Sequence, residues 1–509
     1  MNTQVSADRI KDVWSQSGRQ PRIAIIGAGF SGIASIIKLR EAGFTDIVCY
    51  EREEKLGGTW RDNTYPGLSC DVPSHWYSYS FALNPGWTHR FSYGSEIWAY
   101  QDAVADEYNV KDVIQFDNGV EDLTYLGPQW RLRTARGEEE VFDFVIAATG
   151  VLVNPSYPDI PGLDTFEGAS FHTARWDHDV DLKGKRIGII GTGSTSAQIV
   201  GAIARDVGHL DVYQRTPHWI APLPQKRYSK LWQLTLKLVP GLQRFIRRRM
   251  RRMMESTFGE ATMGNPTMQQ RVEKGCINHL HKQVKDPELR ARLTPDYRAT
   301  CKRLILCSDY YPALQQDNVD LVTEDIAGIE PGGLRTADGV LHELDVLILA
   351  TGFRFNDFIL PTEVFGEQGQ SLRAFWDGLP RAHRGMAFPG FPNLFMLEGP
   401  TGVFGNASVI DVTEHQIAYV ISFLKKMQQE KLAAVAPSQE AYDAYNAQMA
   451  KQIPKTTWAT GGCDSWYLDK SGQPNIYPFP PAQYRQEMLN PDFSEYRMLA
   501  AVEPEHSQD

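Results

Sequence analysis

Four apolar runs punctuate a largely polar chain, and each runs on to a glycine. RIAII (22–26) leads into Gly27-Ala28-Gly29-Phe30-Ser31-Gly32, and RIGII (186–190) into Gly191-Thr192-Gly193-Ser194-Thr195-Ser196. FDFVIA (142–147) and ELDVLIL (343–349) each continue into Ala-Thr-Gly, at 148–150 and 350–352. Apolar residues that run on without alternating signal strands covered on both faces, as in a parallel sheet. A helical stretch follows each glycine turn, and a further strand follows that helix (DIVCYERE from 46, DVYQRT from 211). The pattern therefore predicts an α/β fold with two doubly wound, Rossmann-like units. From 222 to 300 the strand pattern stops. KLWQLTLKLV, GLQRFIRRRMRRMMESTF and a long polar stretch read as helices. After 390 a strand enters a glycine-rich turn, then helices are expected over Val412–Lys426 and Ser438–Gln452. Residues 1–20 read as a polar arm with one short helix.

The glycine turns carry the first chemistry. In each, the first glycine permits the tight turn, and the second lets backbone approach a pyrophosphate held by the free N–H groups of the next helix. Gly27, Gly29 and Gly32 complete the motif; in the second turn Ser196 stands at the third glycine position, which loosens the helix–strand fit. Glu51 lies 24 positions after Gly27, and Arg215 lies 24 positions after Gly191. A carboxylate accepts hydrogen bonds from ribose hydroxyls and repels a 2′-phosphate; a guanidinium suits the phosphate. Charge-assisted contacts contribute about 1.5–3 kcal/mol each, so two of them favour the phosphorylated nucleotide by roughly 10²–10⁴. The first turn thus suits FAD and the second NADPH. Phe30, Ser31, Arg52 and Val120 join the first set of candidate contacts; Thr192, Ser194, Thr195 and Thr216 join the second. Thr149, Thr351 and Gly352, where the Ala-Thr-Gly strands end, mark chain crossings toward the cofactors, so the NADP domain is expected as an insertion in the FAD domain.

Residues 57–81, dense in glycine, proline and aromatics, fit neither helix nor strand and read as a functional loop. Gly57, Gly58 and Thr59 allow close contact with a ring system, and Trp60, Trp76, Tyr77 and Tyr79 could wall it. Asp71 is the acid among them; a turn or cap residue is the equally good plain reading.

Composition narrows the class. Of 509 residues, 42% are hydrophobic and 22% charged, as in a soluble globular protein, and the length asks for two or three domains. A net charge of −10 argues against a general nucleic-acid binder. No apolar run reaches the roughly 20 residues that cross a bilayer, and the acidic, core-less N-terminus does not read as a signal peptide. The basic run Arg244–Arg252 could lie on anionic membrane, but a solvated face of a helical subdomain is the reading preferred here. Six scattered cysteines without a CxxC pair suggest neither zinc nor a disulfide framework; Cys301 and Cys307 are expected to pack as small apolar groups. These features fit a reducing cytoplasm. The missing redox pair also argues against a flavin–disulfide reductase.

Between the two units, Phe166, Gly168, His172, Trp176 and Asp177 match FxGxxxHxxxW(P/D). This signature resembles that of type I Baeyer–Villiger monooxygenases, and the resemblance runs from about residue 20 to 490. It implies an FAD- and NADPH-dependent enzyme that uses molecular oxygen to turn ketones into esters or lactones through a C4a-peroxyflavin. It also implies roles for single residues. Arg303 resembles the active-site arginine beside the flavin, Asp71 its partner acid, and Lys302 a contact to the NADPH 2′-phosphate. His172 resembles a residue that couples the domains, and Trp466 the tryptophan of a loop that closes over NADP. After Trp466 this chain has YLDKSGQPN where several ketone-ring oxidisers have GANxPGK. Oxygenation of sulfides or amines is the alternative activity; a non-catalytic, nucleotide-binding membrane-surface protein is the remote one. The expected organisation is an arm at 1–20, the FAD domain at 21–155 and 345–509, the NADP domain at 156–221 and 301–344, and a helical subdomain at 222–300.

Overall fold

The computed structural model describes residues 13–405 and 407–500. The signal-peptide reading and most of the N-terminal arm lie outside the described residues; the arm's short helix is Trp14–Ser17. Two five-stranded sheets, both parallel throughout, organise the molecule. In the first, strand Ile23–Ile26 lies between Ile47–Tyr50 and Phe144–Ala147, with Ile114–Gln115 and Leu394–Met396 at the edges. In the second, strand Arg186–Ile190 lies between His209–Tyr213 and Val346–Leu349, with Val319–Val322 and Ala169–His172 at the edges. Both central strands are buried, as their unbroken apolar runs require.

The duplication goes beyond the glycine turns. An antiparallel meander precedes each Ala-Thr-Gly strand: Val120–Tyr125, Trp130–Thr134 and Glu139–Phe142 before the first, Ile326–Glu330, Gly333–Thr336 and Leu341–Glu343 before the second. The first meander gains a fourth, parallel strand, Glu363–Phe365. Strand Val346–Leu349 pairs with Arg186–Ile190 and Ala169–His172. The return to the first sheet therefore falls after residue 350, a correction to the expected boundary at 345. The two crossings lie side by side and antiparallel. Pro155 bridges Phe353, Ser156 N–H donates to the Gly352 carbonyl at 2.9 Å, and the Thr351 hydroxyl donates to the Ser156 carbonyl at 2.5 Å.

Each sheet has its own core. Helix Phe30–Glu41 and helix Val409–Glu430 pack together under the first sheet with Ile33, Ile36, Phe395 and Phe423 buried between them. Helix Ser194–Ile203 covers the second with Ile199, Ile187 and Ile348. The helical stretch after 222 comprises Lys230–Leu238, Leu242–Met254, Pro266–Gln283 and Pro287–Arg292, the last two opened by Asn265 and Asp286 side-chain caps.

One expectation is overturned outright. Cys301 and Cys463 form a disulfide across 162 positions. No local spacing could have signalled it. Cys307, the neighbour expected to pair off with Cys301 as packing, is a free buried thiol, as are Cys49, Cys70 and Cys276.

Candidate active site

The first glycine turn is built for close approach. A Cβ on Gly27, which sits at φ +101°, would meet the Ala148 carbonyl oxygen at 2.7 Å; on Gly32 it would meet the Gly27 carbonyl oxygen at 1.9 Å. A Cβ on Gly58, from the loop, would lie 3.3 Å from the Gly29 Cα, so two glycines face each other where a ring or phosphate needs bare backbone. Glu51 is buried at the end of its strand and accepts from Ala28 N–H at 2.8 Å and from Arg61 at 3.2 Å. The donor set, the bare backbone and the acid fit an adenine dinucleotide with an unmodified ribose. Phe30 and Tyr77 stack edge to face at 5.4 Å, and Trp60 donates to the Tyr77 hydroxyl at 2.9 Å. Tyr79 does not wall this space: it is fully buried and donates to the Phe30 carbonyl at 2.6 Å. The Ser31 hydroxyl is taken by buried Glu398 at 2.7 Å, which leaves Ser31 only its backbone for a ligand.

The second turn repeats the geometry with different outer groups. Gly191, at φ +111°, would place a Cβ 2.4 Å from the Ala350 carbonyl oxygen. A Cβ on Gly193 would meet nothing within 4 Å, so backbone at the start of the helix is open to a phosphate. Ser196 is fully buried and its hydroxyl has no hydrogen-bond partner. Thr192 donates to the Thr216 carbonyl at 3.1 Å, which ties the turn to the end of the ribose strand. Beyond it, Arg215, Thr216, Arg292, Tyr297, Lys302 and Asp464 line one cavity. Burial holds the Lys302 ammonium below its usual range; Asp464 opposes that and Arg215 adds to it. Three cations around one cavity fit a 2′-phosphate.

A second cavity adjoins the first through Lys302. Asp71, Trp76, Met254, Phe258, Arg303 and Tyr467 are among its walls. Arg303 and Asp71 form a two-point ion pair, with Nε–Oδ2 at 2.9 Å and Nη2–Oδ1 at 2.7 Å. The Asp71 carboxylate raises the guanidinium's pKa far beyond its already high value. Arg303 keeps 35% of its side chain exposed and lines this cavity, so a fixed cation, with Lys302 beside it, faces a wall that is mostly aromatic and aliphatic. Thr300, which also lines it, is held at φ +68°, a left-handed conformation costly for a β-branched residue.

Other candidates are spread around these centres. Thr149 contacts the Phe358 carbonyl at 3.4 Å, Arg52 pairs with Glu53 at the surface, and the Val120 carbonyl accepts from Thr362 at 2.8 Å. Thr59 opens the short helix Thr59–Asp62 after Gly58. Ser194 and Thr195 begin the helix after the second turn. In the linker, a Cβ on Gly168 would lie 2.5 Å from the Asp345 carbonyl oxygen, and Trp176 packs on Phe171 at 5.0 Å. Asp177 is an exposed turn residue. His172 is buried at a strand end, accepts from Ala174 N–H at 3.1 Å and sits 5.9 Å from the ring of Phe353 at the second crossing; burial lowers its pKa. Phe166 packs at the edge of a small cluster around Leu334.

The segment of Trp466 joins both cavities. Gly462, Cys463 and Asp464 line the one with Arg215, and Tyr467 lines the one with Arg303. Trp466 itself packs on Phe355 at 4.9 Å. The Cys301–Cys463 bond ties this segment to the residue just before Lys302 and Arg303. Sequence reasoning missed Tyr467, Arg61 and Arg292. Tyr467 is buried beside Arg303, and its pKa is raised by burial against the opposing pull of that guanidinium. Its one signal was adjacency to Trp466.

Comparison with known proteins agrees with this geometry. A family model described as flavin-binding monooxygenase-like matches residues 20–371. The chain is 43% identical to an uncharacterised monooxygenase of Mycobacterium tuberculosis over 96% of this chain and 98% of that one. It is 40% identical to a Baeyer–Villiger monooxygenase of Streptomyces coelicolor over 94% and 92%. The solved OTEMO complex with FAD and NADP superposes with a TM-score of 0.84 at 26% identity, covering 94% of this chain and all of that one.

Proposed function

The chain belongs to the flavin-binding monooxygenase-like family, and from that premise we propose that it is an FAD- and NADPH-dependent Baeyer–Villiger monooxygenase that converts ketones to esters or lactones with molecular oxygen. Reduced by NADPH, FAD supplies the oxygen activation that side chains cannot. The first glycine turn, with Glu51, would hold FAD; the second, with Arg215, Lys302 and Arg292, would hold NADPH. The observation that carries the reading is the Asp71–Arg303 pair on an apolar cavity.

Arg303 keeps its proton at any working pH, so it can stabilise negative oxygen without neutralising it. Asp71 fixes the plane of the guanidinium and sharpens its charge. A preorganised cation of this kind contributes about 2.7–4 kcal/mol where anionic oxygen develops. Trp76, Met254, Phe258 and Tyr467 exclude water from the same space. Arg303→Ala should cut ester formation at least about 10²-fold while NADPH still bleaches the flavin. Ester made at the parent rate by that variant would remove the role given to Arg303.

Among the described residues no helix is long and apolar enough to cross a membrane. We assign the protein to the cytoplasm on its four free buried thiols. The Cys301–Cys463 bond pulls the other way, and a thiol titration of protein extracted under alkylating conditions measures which state prevails. We keep sulfides in the substrate range because Trp76, Met254, Phe258, Leu304 and Leu306 give the cavity a largely apolar wall beside Arg303 and Lys302. Products from matched ketone, sulfide and amine substrates separate Baeyer–Villiger from heteroatom chemistry.

A further inference from the structure

Between Asp211 and Glu255 the chain carries eleven lysines and arginines and no acid, within a protein of net charge −10. Helices Lys230–Leu238 and Leu242–Met254, joined by Val239-Pro240-Gly241, occupy most of this stretch. An amphipathic helix in a globular protein turns its leucine stripe inward. The first of these helices does the reverse. Leu231, Leu234 and Leu238, at spacing i, i+3, i+7, are 73%, 50% and 66% exposed, and only Leu236 is buried. Val239 at the turn is 45% exposed, Phe245 60% and Met253 52%. Lys230, Lys237, Arg244, Arg248, Arg249 and Arg252 are exposed among them. Among the described residues these six have no ion-pair partner, whereas inward-facing Arg247 pairs with Asp411 at 3.0 Å and donates to the Trp76 carbonyl at 2.8 Å. Arg247 thus anchors the second helix to the body of the protein while the other face stays open.

A solvated basic face accounts for the cations but not for six large apolar side chains set among them. We propose that this helical pair docks on the surface of a bilayer that contains anionic lipid. Leu234, Leu238, Val239 and Phe245 enter the interface, and the surrounding cations meet lipid phosphates. A second copy of the chain is the weaker occupant, because two such faces would oppose six unpaired cations to six. The docked face also has a use. The second helix ends at Met254, which with Phe258 walls the cavity of Arg303, so an apolar ketone dissolved in the bilayer would have its route on that side.

Sedimentation of the flavin-loaded full chain with vesicles tests this. Vesicles of phosphatidylglycerol and phosphatidylcholine should carry the protein down at low salt, and pure phosphatidylcholine should not. Binding should weaken as salt is raised. Leu238→Ser/Phe245→Ser should lose most of the binding, and Arg248→Glu/Arg249→Glu should weaken it by about fivefold or more per cation. Both variants should keep their flavin content and their turnover of a short, water-soluble ketone. The proposal fails if the parent does not sediment with anionic vesicles, or if Leu238→Ser/Phe245→Ser sediments like the parent. It fails equally if light scattering shows a dimer that this variant converts to monomer, because the face would then belong to a second copy. None of these readouts depends on whether ester is made.

Discussion

The two glycine turns share a backbone plan and differ in how finished they are. In both, the first glycine sits at positive φ against the carbonyl of the alanine that opens an Ala-Thr-Gly. In both, an N–H beside the turn reaches the tyrosine that ends the next strand: Gly27 to Tyr50 at 2.8 Å, Gly191 to Tyr213 at 3.3 Å. The difference lies around that frame. Glu51 is buried and already held by Ala28 and Arg61, and Gly32 allows helix and turn to touch. Arg215 is exposed on an open cavity, and Ser196 places a buried, unbonded hydroxyl where the first turn has only a glycine. The first site is assembled before a ligand arrives; the second waits with its charge in water. The contrast fits a resident FAD and an exchanging NADPH, since preorganisation favours tight retention and an open site favours turnover.

Moving the second unit's residue into the first should have the largest effect. Gly32→Ser puts a Cβ where the Gly27 carbonyl oxygen lies within 1.9 Å, and backbone cannot yield as a side-chain tip does. Overpacking of this kind costs about 3 kcal/mol or more. The expected result is colourless or insoluble protein; a yellow variant with parental melting temperature would mean that the helix–turn contact is not what makes the first site tight. Next is the charge itself. Arg215→Ala removes one charge-assisted contact to a 2′-phosphate, about 1.5–3 kcal/mol, so preference for NADPH over NADH should fall roughly 10–10²-fold with flavin content unchanged. Equal discrimination in parent and variant would shift the 2′-phosphate contact to Lys302 and Arg292.

The sequence made the turns legible because their chemistry is local: glycine spacing, an apolar strand before, and one charged residue 24 positions on. It made family and activity legible through Phe166, Gly168, His172, Trp176 and Asp177, which stand close together in the chain. What it could not display is pairing across distance. Asp71 and Arg303 are 232 positions apart, and resemblance alone joined them before geometry did. Cys301 and Cys463 lack any such guide, and the cysteine reading failed there. The meanders were missed because their alternation is short and interrupted by turns, and the boundary at 345 was placed ahead of a strand whose partners lie more than 150 residues upstream. Direction was invisible too. The leucine stripe of 231, 234 and 238 has ordinary helical spacing, and only the folded chain reveals that it points outward.

The smallest predicted effect probes Ser196, which stands buried where the first turn has Gly32. Its hydroxyl is covered and unbonded. A buried, unsatisfied polar group costs about 1–3 kcal/mol, and alanine is a better helix former than serine by a few tenths of a kcal/mol, roughly. Ser196→Ala keeps the Cβ that spaces helix from turn and deletes only the oxygen. It should therefore raise stability by about 1 kcal/mol, read as a higher urea midpoint with unchanged slope, and leave the KM for NADPH within about twofold. A stabilised variant with intact NADPH binding would show that the hydroxyl serves neither packing nor the nucleotide. A variant that gains stability but loses NADPH affinity would instead show that the hydroxyl turns toward the nucleotide when it binds, and the second site would then be as specialised as the first.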